Sequence, residues 1–202
     1  MFRLYTLLCA GCLLFFQTYA NAQSRLFSHA VGGGLFMSSN YLGGGLIYSP
    51  RLNFLRFSDH STLSIGANIG LGTTINDNYN SNTGGNSTSI FMANVPFLLS
   101  WNFGNAATNK AYMKWGLFAG AGYGFQNAAR SVEYIDDDEA TTNQVHISGL
   151  VLSAGLRFPV NNHSLGVRLA YMFNNNRYNP DIAGMTTIAI DYNIGAKILR
   201  PQ

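Results

Sequence analysis

From residue 29 onward, hydrophobic and small or polar side chains alternate with a period of two, in segments separated by polar stretches. That period marks a β-strand with two unlike faces. The clearest case comes last. Ile188, Ile190, Tyr192, Ile194, Ala196 and Ile198 share one face, and Thr187, Ala189, Asp191, Asn193, Gly195 and Lys197 share the other. From Ser164, Leu165, Val167, Leu169, Tyr171 and Phe173 oppose Ser164, Gly166, Arg168, Ala170 and Met172. From Met113, the bulky set Met113, Trp115, Leu117, Ala119, Ala121, Tyr123 and Phe125 opposes Lys114, Gly116, Phe118, Gly120, Gly122 and Gly124. Residues 62–72 set Leu63, Ile65, Ala67, Ile69 and Leu71 against Ser64, Gly66, Asn68, Gly70 and Gly72. In residues 89–103, Phe91, Ala93, Val95, Phe97, Leu99, Trp101 and Phe103 oppose Asn94, Pro96, Ser100 and Asn102. Weaker alternation covers 42–54 and 145–158, the latter with a bulge expected near Ser148-Gly149, and His29 to Ser38 is ambiguous in face. The pattern predicts an all-β chain of eight strands.

In a soluble sheet the solvated face is rich in Lys, Glu and Thr. Here the face opposite the bulky residues carries Gly, Ser, Asn and isolated charges. An inverted barrel accounts for both faces: large apolar groups turn outward to lipid and a narrow polar lumen lies inside. Aromatic placement agrees. Phe91 and Trp101 are ten positions apart, which at a strand tilt near 45° spans roughly 23 Å, close to the height of an outer-membrane apolar band. Trp115 and Phe125 repeat the spacing. Phe54, Phe103 and Phe158 are expected at one rim, and Phe36, Tyr123, Tyr171 and Phe173 at the other.

Alternate connections are long and polar, at 73–88, 126–144 and 174–184, while those between them are shorter, as in 159–163. In transmembrane barrels the long loops face outside, so both termini are expected on the periplasmic side. Residues 1–22 read as a secretory signal: Arg3, an apolar stretch from Leu4 to Phe16, then Ala20-Asn21-Ala22. That stretch is too short to serve as a membrane anchor. Cleavage before Gln23 would leave a barrel domain over 23–202 without cysteine, since Cys9 and Cys12 both lie in the signal. Disulfides and thiolate metal sites are thereby excluded from the processed chain. Composition narrows the field further. Charged residues make up 10% of the chain, against 22 Gly, 14 Phe and 11 Tyr, which excludes a disordered chain or a coiled coil. A net charge of +3, scattered along the chain, gives no footprint for nucleic acid.

With a signal ending in Ala-x-Ala, eight amphipathic strands, three long loops and a Gly-rich inner face, residues 29–199 resemble the small eight-stranded outer-membrane barrels of the OmpA transmembrane-domain and OmpX type. The resemblance implies an up-and-down antiparallel barrel in the outer membrane of a Gram-negative bacterium, surrounded by lipid and lipopolysaccharide. It rests on architecture. Such chains often end in an aromatic residue used in assembly, whereas this one ends Lys197-Ile198-Leu199-Arg200-Pro201-Gln202.

Seven of the nine acids, Asp77, Glu133, Asp136, Asp137, Asp138, Glu139 and Asp181, fall in the long loops. Arg51, Arg56, Lys110, Lys114, Arg157, Lys197 and Arg200 fall toward the other end. Asp136, Asp137, Asp138 and Glu139 are weak candidates for a divalent cation shared with lipopolysaccharide, because hard cations take several carboxylate oxygens. The run lacks the Gly and Glu of an EF-hand. Arg168 and Asp191 project into the lumen at comparable depth and are expected to pair, since a buried charge needs a partner. Lys114, Arg157 and Lys197 have no strand acid left and are expected to meet water at the periplasmic mouth. His146-Ile147-Ser148 resembles weakly the His-x-Ser of outer-membrane lipid A deacylases; no Asn follows the Ser, and no Glu stands on a later strand. His29, His60 and His163 show no metal-ligand spacing, and no cofactor motif is present. The expected role is a non-enzymatic barrel, structural or binding through its loops. The alternatives are an accessory subunit of an outer-membrane secretion or assembly complex, a lipid A deacylase-like enzyme, and a narrow pore. Intact-mass measurement of the protein from outer membranes is expected to give a chain beginning at Gln23; a diacylated Cys12 would overturn the signal assignment.

Overall fold

The computed structural model describes residues 27–38, 41–75, 90–108, 111, 113–135, 139–161, 163–194 and 196, with side chains at these positions except 41, 74, 75, 90, 91, 129–135 and 139–144. Nine strands follow one another: β1 (Phe27–Ser38), β2 (Tyr41–Ser58), β3 (Ser61–Ala67), β4 (Ile69–Ile75), β5 (Ile90–Gly104), β6 (Gly116–Ile135), β7 (Glu139–Val160), β8 (His163–Phe173) and β9 (Gly184–Ile194). They make eight crossings, because β3 and β4 are halves of one, interrupted at Asn68, and both lie between β2 and β5. Every neighbour pair is antiparallel. The last strand returns to the first, with Val31 opposite Tyr192 and Gly34 opposite Ala189. The sheet therefore closes and leaves no edge strand.

Several boundaries differ from the alternation. The second long connection, 126–144, is mostly strand: β6 and β7 stay paired out to Ile135 opposite Glu139. No Gly or Pro occurs between 126 and 144 to stop the ladder, and Val132, Tyr134, Ile135, Thr141 and Thr142 favour extension. The ladder is continuous at Ser148 and Gly149, opposite Phe125 and Gly124; the irregularity lies instead between Ala129 and Ser131. The strand expected from Met113 begins at Gly116, since the residues before it fold inward, as described below.

The outer wall carries the bulky set. Leu99, Leu117, Leu152, Leu156, Val167, Leu169, Ile188 and Ile190 are all exposed. Their continuity exceeds the apolar patches that soluble monomers show. Aromatic pairs sit toward the two ends of this band. Trp101 lies 5.9 Å from Phe103, and Trp115 lies 6.1 Å from Phe158, near the end that carries the termini. Tyr123 with Phe125 at 5.3 Å and Tyr171 with Phe173 at 4.8 Å lie toward the other. The side chain of Phe91 lies outside the described residues. Phe36 departs from the expected rim: it is 1% exposed and points into the barrel. In β1 the inward set is Ser28, Ala30 and Phe36, while Phe27, Val31 and Leu35 face out. Gly70 on β4 leaves the space that the Phe36 ring fills.

Leu169, 57% exposed near the middle of β8, tests the inverted wall. Leu169→Arg is expected to lower folding stability in lipid vesicles by about 2–4 kcal/mol. Denaturant titration in vesicles measures it, and an unchanged midpoint would contradict a lipid-facing surface.

Candidate functional site

The inward faces divide the lumen into two layers. Toward the loop end, Phe36, Ile47, Met92, Leu98, Ala128, Val145, Ile147, Val151, Ala170, Met172, Ile182, Met185 and Ala189 form one continuous buried apolar cluster. The lumen is thus not polar throughout, as the alternation implied. Short stretches of inward apolar residues on β5, β7 and β8 meet at the same height once the strands are in register. Ile182 enters the cluster from the connection between β8 and β9. That connection is held by Asn174, whose amide donates to the carbonyls of Asn179 and Ile182 at 2.8 Å each. The Asn179 side chain in turn accepts from the backbone N–H of His146 at 2.8 Å.

Toward the terminus end the lumen is polar. Arg168 and Asp191, from neighbouring strands β8 and β9, lie 2.5 Å apart and are both buried. Register sets Gly166 opposite Asp191 and Arg168 opposite Ala189, so the two meet on a diagonal. Arg168 also donates to Ser49 Oγ at 3.1 Å. Arg157, expected in water at the mouth, is 4% exposed and donates to Asn102 Oδ1 at 2.7 Å. The same oxygen accepts from Arg51 at 3.4 Å, and Arg51 also donates to the carbonyl of Ala106. The Phe118 ring lies between the two deeper arginines, 4.5 Å from the Arg157 guanidinium carbon and 5.7 Å from that of Arg168. Such contacts stabilise a desolvated cation. Gly155 makes the seat for the ring, since a Cβ there would meet Phe118 and the backbone of Val167.

The connection between β5 and β6 closes this end. Asn105, Ala106, Ala107, Thr108 and Ala111 are all buried. Gly104 and Ala106 take positive φ of 74° and 55°, which turns the chain back under the strands. Thr108 donates to the carbonyl of Asp59 at 2.7 Å and Thr62 to that of Ala107 at 3.2 Å. Asn105 donates to the carbonyl of Met113 at 2.7 Å and its side-chain oxygen accepts from Ser164. The short side chains of Asn105, Ala106, Ala107, Thr108 and Ala111 allow these residues to fold into the mouth instead of around it. The outward turn from β2 to β3 carries an exposed Arg56–Asp59 ion pair, which contributes little.

The remaining sequence candidates are dispersed. His146 and Ser148 alternate with buried Val145, Ile147 and Gly149, so they stand on the outer side of β7; the His146 ring lies 6.2 Å from that of Tyr178. Lys114 is exposed in the bend before β6. Asp136, Asp137, Asp138 and Lys197 lie outside the described residues, and Glu139 is described in its backbone alone. Among the described residues no group of His, Cys, Asp and Glu could hold a metal ion. Sequence reasoning missed Arg51, Arg157, Asn102 and Phe118 as one cluster. The parity of Ser49, Arg51 and Asn53 on β2, and of Ser153, Gly155 and Arg157 on β7, was the available signal.

No protein-family model and no curated protein matches the sequence. Solved structures match the fold. The attachment invasion locus protein Ail of Yersinia pestis, solved with the heparin analogue sucrose octasulfate, superposes with a TM-score of 0.50 at 13% identity over 84% of this chain and 99% of its own. The chain has the fold of the small eight-stranded outer-membrane barrels. Neisserial surface protein A matches at 0.41, with 12% identity over 84% of this chain and 94% of its own. The N-terminal barrel domain of Pseudomonas aeruginosa OprF matches at 0.43, with 10% identity over 84% and 99%. Among the described residues lining the terminus-side lumen, Asp191 is the one acid and faces Arg51, Arg157 and Arg168.

Asp191→Asn is expected to cost about 3–5 kcal/mol, because Arg168 is then left buried without its charge partner. Adding Arg168→Met should recover part of that loss. Urea unfolding of the refolded protein in micelles compares the two, and equal losses would reject the coupling.

Proposed function

We propose that the protein is a non-enzymatic barrel of a Gram-negative outer membrane that works through its outward loops. The observation that carries this reading is the filled interior: an apolar cluster occupies one half of the lumen and a hydrogen-bonded connection occupies the mouth of the other. A barrel filled by its own side chains has no channel for solutes. What is left for recognition is the loop end. There the connection after β8 is locally rigid, with the N–H of Asn176 donating to Asn174 Oδ1 at 2.9 Å and the N–H of Tyr178 to Asn176 Oδ1 at 3.0 Å. It presents Arg177 and Tyr178, the latter 82% exposed. Aromatic side chains held on a rigid loop are effective anchors for a partner.

The charge of the loops shapes the partner. Ail binds a sulfated sugar analogue, whereas seven acids of this chain belong to its loop segments, so a free polyanion would be repelled. Lipopolysaccharide phosphates bridged by divalent cations, or a partner with basic groups, suit such loops better.

Two cysteine variants test the placement, because the chain before Gln23 holds its only cysteines. On intact cells Tyr178→Cys is expected to react with a membrane-impermeant maleimide, and Lys114→Cys to react only after the outer membrane is permeabilised. The reverse pattern would invert the barrel and remove the loop reading. In planar bilayers the protein is expected to give no conductance steps.

A further inference from the structure

We infer that the terminus-side lumen is a binding site for one small inorganic anion, chloride or a tetrahedral oxyanion, held between Arg51, Arg157 and Arg168. The inference is independent of the loop-based role, since it concerns the closed interior.

The charges are the first argument. The three arginines line one cavity, and among the described residues that line it Asp191 is the only acid. Three guanidinium groups against one carboxylate leave two positive charges enclosed. An uncompensated buried charge is costly, and the three arginines also disfavour one another. Packing Arg157 and Arg168 against Phe118 offsets part of this but brings no negative charge.

Hydrogen bonding is the second argument. Arg51 Nε, Arg157 Nη1 and Arg168 Nε are buried and meet no protein acceptor, although Arg157 and Arg168 are both more than nine-tenths buried. Most protein acceptors nearby are already engaged: Asn102 Oδ1 by two arginines, Ser49 Oγ by Arg168, and Asp191 Oδ2 by Arg168. Asp191 Oδ1 is buried without a partner, but one carboxylate oxygen is outnumbered by the unpaired guanidinium donors. Ser153 Oγ, also without a partner, adds a hydroxyl donor to the same cavity. A buried donor left unmade is expensive, and donors that line one space call for a shared acceptor.

Size is the third. The cavity has about 40 Å³ of room for water-sized atoms. One water needs only about 10–15 Å³ by that measure, so a chloride or a compact oxyanion fits, while an organic carboxylate with a side chain does not. The inward connection at Asn105–Ala111 lies across the mouth, and Arg51 reaches both the cavity and the carbonyl of Ala106.

The test uses the refolded protein in nonionic detergent. Its thermal midpoint is followed against sodium chloride and sodium phosphate, with sodium gluconate holding the ionic strength constant, because gluconate is too large for the cavity. A saturable rise with chloride or phosphate is expected, and whichever ion saturates at lower concentration identifies the ligand. Arg157→Met should weaken the apparent affinity at least tenfold, while Arg177→Gln on the exposed loop should leave it unchanged. Should Arg157→Met not refold, bromide and selenate soaks of wild-type crystals decide the matter through anomalous scattering, with a peak within hydrogen-bonding distance of the three guanidinium groups. Two results would overturn the site: equal midpoints in gluconate, chloride and phosphate with no anomalous peak in the lumen, or a non-saturating salt effect that Arg157→Met retains.

Discussion

In hydrocarbon no solvent is available for a backbone N–H or C=O, so each must find its partner within the protein. The pairing of β1 with β9 meets that demand here. Because the sheet closes, every crossing has two neighbours, and the outer wall can be apolar without exposing a hydrogen-bonding edge. The side-chain arrangement follows from closure. With strands alternating across a narrow cylinder, one residue in two must fit inside, and the many inward glycines leave room for a few large groups such as Phe36 and Phe118.

How that limited interior is filled decides what the barrel can do. The loop half is filled largely by buried Ile, Met, Val and Phe side chains. The terminus half is built from serines, asparagines and arginines around Asp191. On three strands the boundary between the halves is sharp: Ile47 is followed by Ser49 on β2, Val151 by Ser153 on β7, and Ala189 by Asp191 on β9. On β5 and β6 it is crossed by Asn94, which donates to Gln126 at 2.6 Å within the loop half. Both layers are then closed by connecting segments, Ile182 entering from one side and Asn105–Ala111 from the other. The interior is therefore filled from both ends, and on the proposed reading a macromolecular partner would meet the rim.

The two rims are not equivalent. At the loop end, β6 and β7 run on as a paired hairpin beyond the aromatic band, and the connection after β8 is fixed by asparagine side chains acting as backbone substitutes. Such loops are shaped before a partner arrives, which lowers the entropy lost on binding. At the terminus end the turns are short or fold inward. That asymmetry matches a protein that contacts its surroundings from one side.

The amino-acid sequence alone determined the strand count, the antiparallel up-and-down order and the inside or outside placement of residues on the strongly alternating strands, because a period of two is a local property of the pleated backbone; on 29–38, 42–54 and 145–158 the faces stayed open. It also placed Arg168 and Asp191 within reach of each other, since both sit on strongly alternating neighbouring strands. Only the tertiary structure decided the rest. Phe36 belongs inside because Gly70, on a crossing far along the chain, leaves it space. Arg157 belongs to the lumen because Asn102 and Phe118, from other strands, meet it there. The inward fold of residues 105–108 and Ala111 has no periodic signal; it depends on the diameter of a barrel that exists only once all eight crossings have closed. Local spacing fixes which way a side chain points, whereas depth, partners and free volume are set by register between strands distant in sequence.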